Sequence, residues 1–280
     1  MRRKKTIVLR FLCIVSSFIV LVGILDNYGS VDSAPDYPDY KMETLEEISD
    51  IASIYNGTAD IKSYETLFLQ TGLGKEGITQ LSMECTDLEE FKKVLETYQI
   101  QLFRGTGRKQ MVTLKKGDVL VSMSQRLCYY PHGHAAIYIG GEKSEILEAR
   151  SYVAGSCMCK KEKWEKLSSF VVLRLKDEVV NCFMEKEGRN PKILAADYAK
   201  EHLNGLPYSL FKDIRIETGE KPEYTQCAHL VWYSYYAVGL DIDENRGLIV
   251  KPKDFLESDV FEVVQVFGIN PKSLQNQRNE

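Results

Sequence analysis

The chain has 280 residues, of which 44% are hydrophobic and 27% are charged, proportions that are ordinary for a soluble globular protein. Its formal net charge is −4, but five basic residues lie within the first ten positions and leave 31 basic against 40 acidic residues in the rest. A body that acidic, without a basic stripe, argues against nucleic acid as a partner. The length suffices for one good-sized core plus an extension.

The N-terminus has the pattern of a targeting segment. A cationic stretch, MRRKK, precedes a continuous apolar run over residues 11–25. Fifteen residues suit the apolar region of a signal peptide better than a bilayer span, which needs about 20. We therefore expect residues 1–34 to be a signal peptide or a signal anchor. The protein is then exported, either secreted or anchored to the outer face of the cytoplasmic membrane.

Seven cysteines in an exported chain suggest disulfide bonds. Cys13 lies in the targeting segment, which leaves six that could pair. If one of these six is a working thiol, five remain and at least one other stays free. The sequence leaves the connectivity open.

Residues 35–105 are predicted to form a small helical extension rather than an independent domain. Apolar residues at helical spacing predict a helix over residues 42–55 and a second over 86–98, the latter opened by a capping box of Thr86 and Glu89. Two short helices, at 63–72 and 77–83, are predicted between them.

Residues 106–280 are predicted to form the main domain, in which the periodicity changes to that of strands. Residues 151–168 are predicted to be a loop, and a helix is predicted over 192–203. Strands in one run with helices placed around them indicate an α+β fold. The predicted strands are 117–121, 134–139, 146–149, 170–175 and 260–266.

The central element is the segment 226–239, QCAHLVWYSYYAVG, which is apolar or aromatic nearly all round and therefore predicts a buried helix. Thr225 is the expected N-cap, and Gly239 is suited to end the helix. Cys227 then lies in the first turn, where unpaired backbone N–H groups and the helix dipole favour a thiolate. The alternative is that Cys227 is only a small buried hydrophobic residue.

A thiolate hydrolase also needs a base and a group that orients the base. His134 begins an apolar strand, and Glu148 lies within the next apolar strand, so each is a polar residue that needs a partner. If the turn at Gly140 and Gly141 pairs these two strands, His134 and Glu148 are neighbours. The alternative is a structural His–Glu pair in a sheet.

Together these segments resemble a known family. The pieces GDVLVSMS, GHAAIYIGG, ILEA, GLPYS and QCAHLVWYSYYAVGLDI occur in the order seen in the circularly permuted branch of NlpC-type papain-like cysteine hydrolases, the YiiX/YebB-like group. The resemblance covers roughly residues 115–266. It implies an antiparallel sheet packed against the buried cysteine-bearing helix. In this branch, the histidine strand precedes the cysteine helix.

The resemblance also implies roles for four residues. Cys227 corresponds to the nucleophile, His134 to the general base and Glu148 to the residue that orients the base, while Tyr208 corresponds to a tyrosine that lines the site. The backbone N–H of Cys227 is expected to help bind the oxyanion. One departure is that the family often has Ser-Glu after the cysteine, where this chain has Ala228-His229.

The implied activity is hydrolysis of an amide or ester bond through a thioester, without a cofactor, most naturally in peptidoglycan stem peptides. Related permuted proteins act on lipid acyl groups, so an acyltransferase or thioesterase is an alternative. A non-catalytic module that binds an envelope component is another. The segment 160–166, KKEKWEK, is either a lid, a membrane-facing segment or a solvated helical face.

A zinc site is the remaining alternative. Potential ligands lie within about thirty residues of one another, although their spacing differs from the usual C-x₂₋₄-C pattern. These ligands are His132, His134, Cys128, Cys157 and Cys159.

Overall fold

The computed structural model describes residues 35–38, 43–48, 50–105, 109–124, 126–127, 130–141, 145–212, 221–243 and 245–279. The predicted targeting segment 1–34 and Cys128 lie outside the described residues. Within the described part, no helix is long and apolar enough to cross a membrane.

Among the described residues, four helices precede the first strand. The predicted helix over 42–55 forms only in its last turn, and the other three form near their predicted positions. The N-cap differs from the predicted capping box of Thr86 and Glu89: Asp87 is the N-cap, and its carboxylate accepts a hydrogen bond from the Glu90 N–H. The bounds are α1 Ile51–Tyr55, α2 Ile61–Thr71, α3 Lys75–Glu84 and α4 Leu88–Arg104.

The centre of the molecule is a six-stranded sheet in which every neighbouring pair is antiparallel. Its strands are β1 Val119–Ser122, β4 His134–Gly140, β5 Glu145–Ser151, β6 Gly155–Lys160, β7 Phe170–Leu175 and β8 Phe261–Phe267, in the order β6-β5-β4-β1-β7-β8. Two short strands, β2 Arg126–Leu127 and β3 Tyr130–Pro131, form a separate pair. The protein is therefore an α+β protein, as the strand and helix patterns predict.

One prediction about the sheet is wrong. Residues 151–168, expected to be a loop, contain the edge strand β6 and the short helix α5 Lys161–Trp164. The strand is difficult to recognise because Cys157, Met158 and Cys159 give no clear alternation of apolar and polar residues. Its pairing with β5 over six residue pairs fixes it in the sheet.

In the described part of the chain, five helices follow β7, four of them before β8 and one after it. A π-helical turn, Ala199–Leu203, extends the second of the five to the end predicted for it. The bounds are α6 Asp177–Glu187, α7 Pro191–Tyr198, α8 Cys227–Tyr236, α9 Pro252–Glu257 and α10 Pro271–Asn279.

Helices cover both faces of the sheet. The alternation of side chains along β1 shows this: Val119 and Val121 pack in the cluster that contains α8, whereas Leu120 packs among the N-terminal helices. Side chains of α2, α3 and α4 thus share a core with the sheet. This arrangement buries every residue of α8 except Tyr236, which is partly buried, because the sheet lies on one side of the helix and α7 packs against another.

A buried ion-pair network also joins the N-terminal helices to the sheet. The Arg174 guanidinium, on β7, donates from Nε and Nη2 to both carboxylate oxygens of Asp118, at 2.8 and 2.6 Å. Its Nη1 donates to Glu76 on α3 at 2.9 Å. Arg174 and Asp118 are both fully buried. The network satisfies charges that would otherwise be costly inside the protein.

Candidate active site

The first residue of α8 is Cys227, as expected, but its N-cap is Gln226 rather than Thr225. The Gln226 side-chain oxygen accepts a hydrogen bond from the Ala228 N–H at 2.9 Å and lies 3.5 Å from the Cys227 sulfur. The Gln226 side-chain amide donates to the Val250 carbonyl at 3.0 Å. Gln226 therefore fixes the start of the helix and the position of the sulfur. Glutamine is not among the favoured N-cap residues, so sequence preferences alone do not identify it.

His134 contacts both of the other predicted catalytic residues, Cys227 and Glu148. Its Nε2 lies 2.9 Å from Oε2 of Glu148, and its side chain also makes hydrogen-bonding contact with the Cys227 thiol. Because Nε2 is taken by Glu148, Nδ1 is the nitrogen that remains for the sulfur. Sulfur, imidazole and carboxylate thus form a row of contacts, with the imidazole between the other two groups. His134 and Glu148 belong to adjacent strands but are not directly opposite, since Glu148 pairs with Ala136.

The charges of this row shift the pKa values of its members. Burial lowers the pKa of His134, but hydrogen bonds and charges from Cys227 and Glu148 outweigh burial and raise it to about 9. Burial raises the pKa of Glu148, yet His134 and Lys163 outweigh it and lower the value to about 2. At neutral pH, His134 is therefore an imidazolium beside a carboxylate.

Two residues of the segment 160–166, which the sequence did not assign to the site, complete it. The Lys163 ammonium donates to Oε1 of Glu148, which leaves Oε2 for His134. The Trp164 ring stacks on the His134 ring, with centroids 5.5 Å apart and planes 17° apart, and is buried. At Trp164, therefore, the segment 160–166 is not a solvated helical face. The buried ring does not face a membrane either. The sequence feature that could have pointed to Trp164 is that it is the single tryptophan within a run of charged residues.

Tyr208 lies beside the site but outside the row of three. The segment around it forms a parallel bridge with Thr225, two residues before the cysteine. Its ring packs edge-on against Tyr152 at a centroid distance of 5.2 Å, and it is half-buried. The role of Tyr208 in lining the site stays a prediction.

His229, at the position where the sequence departs from the family, is fixed inside the protein. Its Nδ1 lies 3.1 Å from the Thr225 hydroxyl, and its ring stacks on Tyr233. The residue is buried. These contacts give His229 a structural position that braces Thr225 next to the start of α8.

The other described cysteines, Cys85, Cys157, Cys159 and Cys182, are free thiols, as is Cys227. Burial raises the pKa of Cys157, and burial together with the Glu148 charge raises that of Cys159 to about 12. Both remain protonated at neutral pH, so neither competes as a nucleophile. Among the described residues, no three His, Cys, Asp or Glu side chains are grouped so as to hold a metal ion.

Comparisons with known proteins give one distant relative. The chain is 25% identical over 230 residues to a Bacillus subtilis (strain 168) protein named "Uncharacterized protein YycO", an alignment that spans 79% of this chain and 86% of that protein. A scan against protein-family models finds no match. No solved structure matches either.

Replacing Glu148 should change the titration of His134. We expect the imidazole NMR signals of His134 to titrate near pH 9 in the wild-type protein. In Glu148→Gln, loss of the carboxylate charge should move that midpoint down by about one pH unit or more. The exposed Glu162→Gln on α5 is the matched control and should leave it unchanged. An unchanged midpoint in Glu148→Gln would show that the His–Glu contact does not govern this proton.

Proposed function

We propose that this protein is an exported cysteine hydrolase of the permuted papain-like type, which cleaves an amide or ester bond in a cell-envelope substrate. The observation that carries the proposal is the contact row of Cys227, His134 and Glu148. The order of the sequence motifs and the antiparallel sheet against a buried cysteine helix support the same assignment. The apolar run in the targeting segment supports export.

In the first half of the reaction, the Cys227 thiolate attacks the acyl carbonyl carbon. The oxyanion that forms is bound by the backbone N–H of Cys227, at the positive end of the α8 dipole. When the C–N or C–O bond breaks, the His134 imidazolium gives its proton to the leaving amine or alcohol. The acyl group remains on sulfur as a thioester.

In the second half, His134 takes a proton from water, which attacks the thioester carbonyl. The carbon–sulfur bond breaks, a carboxylic acid leaves, and the thiolate is restored beside the imidazolium. Glu148 keeps its charge throughout and stabilises the imidazolium, while Lys163 and the stacked Trp164 hold the carboxylate and ring in place. The resemblance makes peptidoglycan stem peptides the first substrate class to test.

Iodoacetamide labelling at neutral pH tests whether Cys227 is activated. We expect Cys227 to react at least about tenfold faster than Cys182, an exposed thiol on α6, because only Cys227 has an imidazolium beside it. Peptide mapping by mass spectrometry separates the two sites. In His134→Asn the rate at Cys227 should fall toward that of Cys182. Labelling of Cys227 no faster than that of Cys182 would count against an activated thiol.

A substrate screen then identifies the bond. Purified protein is incubated with muropeptides and with acyl-lipid esters side by side, with Cys227→Ala as the blank. Product from muropeptides alone supports the peptidase assignment, whereas product from lipid esters alone moves the activity to a lipase or thioesterase. Equal product in wild type and blank would refute the assignment of Cys227.

A further inference from the structure

Exposed apolar side chains collect on three loops. Of the ten large hydrophobic side chains that are exposed in the described part of the chain, five lie in the segments 150–154, 208–212 and 245–253, which we call the rim segments. The most exposed in each segment are Val153 at 80%, Phe211 at 81% and Leu248 at 87%. Single exposed apolar residues are ordinary, but their concentration on a few loops indicates an interaction surface.

Direct contacts place all three rim segments around the start of α8. The Tyr152 ring in the first packs on the Tyr208 ring in the second. Tyr208 forms a backbone bridge with Thr225, just before α8. In the third, the Val250 carbonyl accepts the hydrogen bond from the Gln226 side chain. The exposed apolar residues therefore border the same end of the helix that carries Cys227.

The charge of the rim segments is opposite to that of the protein as a whole. They contain five basic residues and no aspartate or glutamate, whereas the chain after its first ten residues has 31 basic against 40 acidic residues. Within the described part of the chain, Arg150 lies 3.5 Å from Glu148, Lys253 lies 3.3 Å from Glu257, and the Lys212 ammonium lies over the Tyr224 ring. The five are Arg150, Lys212, Arg246, Lys251 and Lys253.

Exposed apolar residues flanked by lysine and arginine are the pattern of a surface that lies on anionic lipid. An acidic peptide would be attracted by the cations but gives no reason for side chains such as Phe211 and Leu248 to extend into water. We propose that the rim segments dock on an anionic lipid bilayer. If the proposed function holds, Cys227 then acts on a substrate presented at the membrane surface, although docking itself does not depend on catalysis.

Tryptophan substitutions on the full chain test this surface by position. The two native tryptophans, Trp164 and Trp232, are both 1% exposed, so a new surface tryptophan dominates quenching by lipid. We expect Phe211→Trp and Leu248→Trp to lose about half of their fluorescence or more on vesicles of phosphatidylcholine and phosphatidylglycerol with brominated acyl chains. Met83→Trp, 80% exposed on α3, is the matched control and should not be quenched. This readout is local, so membrane binding by residues 1–34 does not imitate it.

Charge removal, on the protein or on the lipid, supplies the second measurement. Arg246→Gln combined with Lys253→Gln should weaken vesicle binding through the rim by about tenfold or more, as should replacing phosphatidylglycerol with phosphatidylcholine. Absence of quenching at positions 211 and 248, or equal quenching at position 83, overturns the proposal. Carrying out the assay in the Cys227→Ala background separates membrane docking from catalysis, because docking should persist there even if the catalytic assignment of Cys227 fails.

Discussion

Cys227→Ala should leave the fold intact and reduce turnover by at least about 1,000-fold on any substrate that the wild-type protein cleaves. The sulfur is the atom that forms the thioester, and alanine supplies no replacement for it. Fold retention is expected because the substitution removes a single buried atom at the first position of α8, whose cap and core contacts belong to other residues. Initial rates and thermal unfolding of the two proteins measure these effects.

Cys182→Ala is the control, because this thiol lies exposed on α6 and does not take part in the row of three. It should retain the wild-type rate. Full activity in Cys227→Ala would refute the proposed mechanism. A large fall in melting temperature would instead assign Cys227 a structural role.

The second large effect is on stability. Arg174→Met should lower the free energy of unfolding by about 3–5 kcal/mol, because it leaves the Asp118 carboxylate buried without its bidentate partner. The same substitution breaks the link to Glu76 on α3. Chemical denaturation followed by circular dichroism measures the change.

Lys92→Met provides the comparison, since it removes an exposed ion pair with Glu89 on α4 and should cost about 0.5 kcal/mol or less. Adding Asp118→Asn to Arg174→Met should recover part of the loss, because the uncompensated charge is removed. A loss in Arg174→Met no greater than that in Lys92→Met would show that the network does not tie the N-terminal helices to the sheet.

Most of the secondary structure could be predicted because it is set by local patterns. Runs of β-forming residues bounded by turns identified β4 and β7, and the apolar run after Cys227 identified α8. The edge strand β6 was missed because an edge strand buries little of its surface and needs no strong pattern. Its structure comes from pairing with β5, a contact between segments that local propensity does not encode.

The candidate site also contains some residues that local sequence patterns predict and others that only contacts between segments bring in. His134 and Glu148 stood out because each is a polar residue in an apolar strand, and burial requires that such residues find partners. Lys163 and Trp164 were not assigned to the site, since a run of charges is usually solvated. They reach the site because β6 and α5 bring the chain back alongside β5.

The sequence by itself determined an α+β protein with a cysteine at the start of a buried helix and two polar residues on neighbouring strands, because periodicity and composition are local properties. Only the tertiary structure decided that these three side chains meet, that Gln226 caps the helix and that Trp164 stacks on the imidazole. It also decided that the exposed apolar loops border the cysteine. Those are contacts between residues far apart in the chain, and they exist only when the sheet and its two layers of helices pack together.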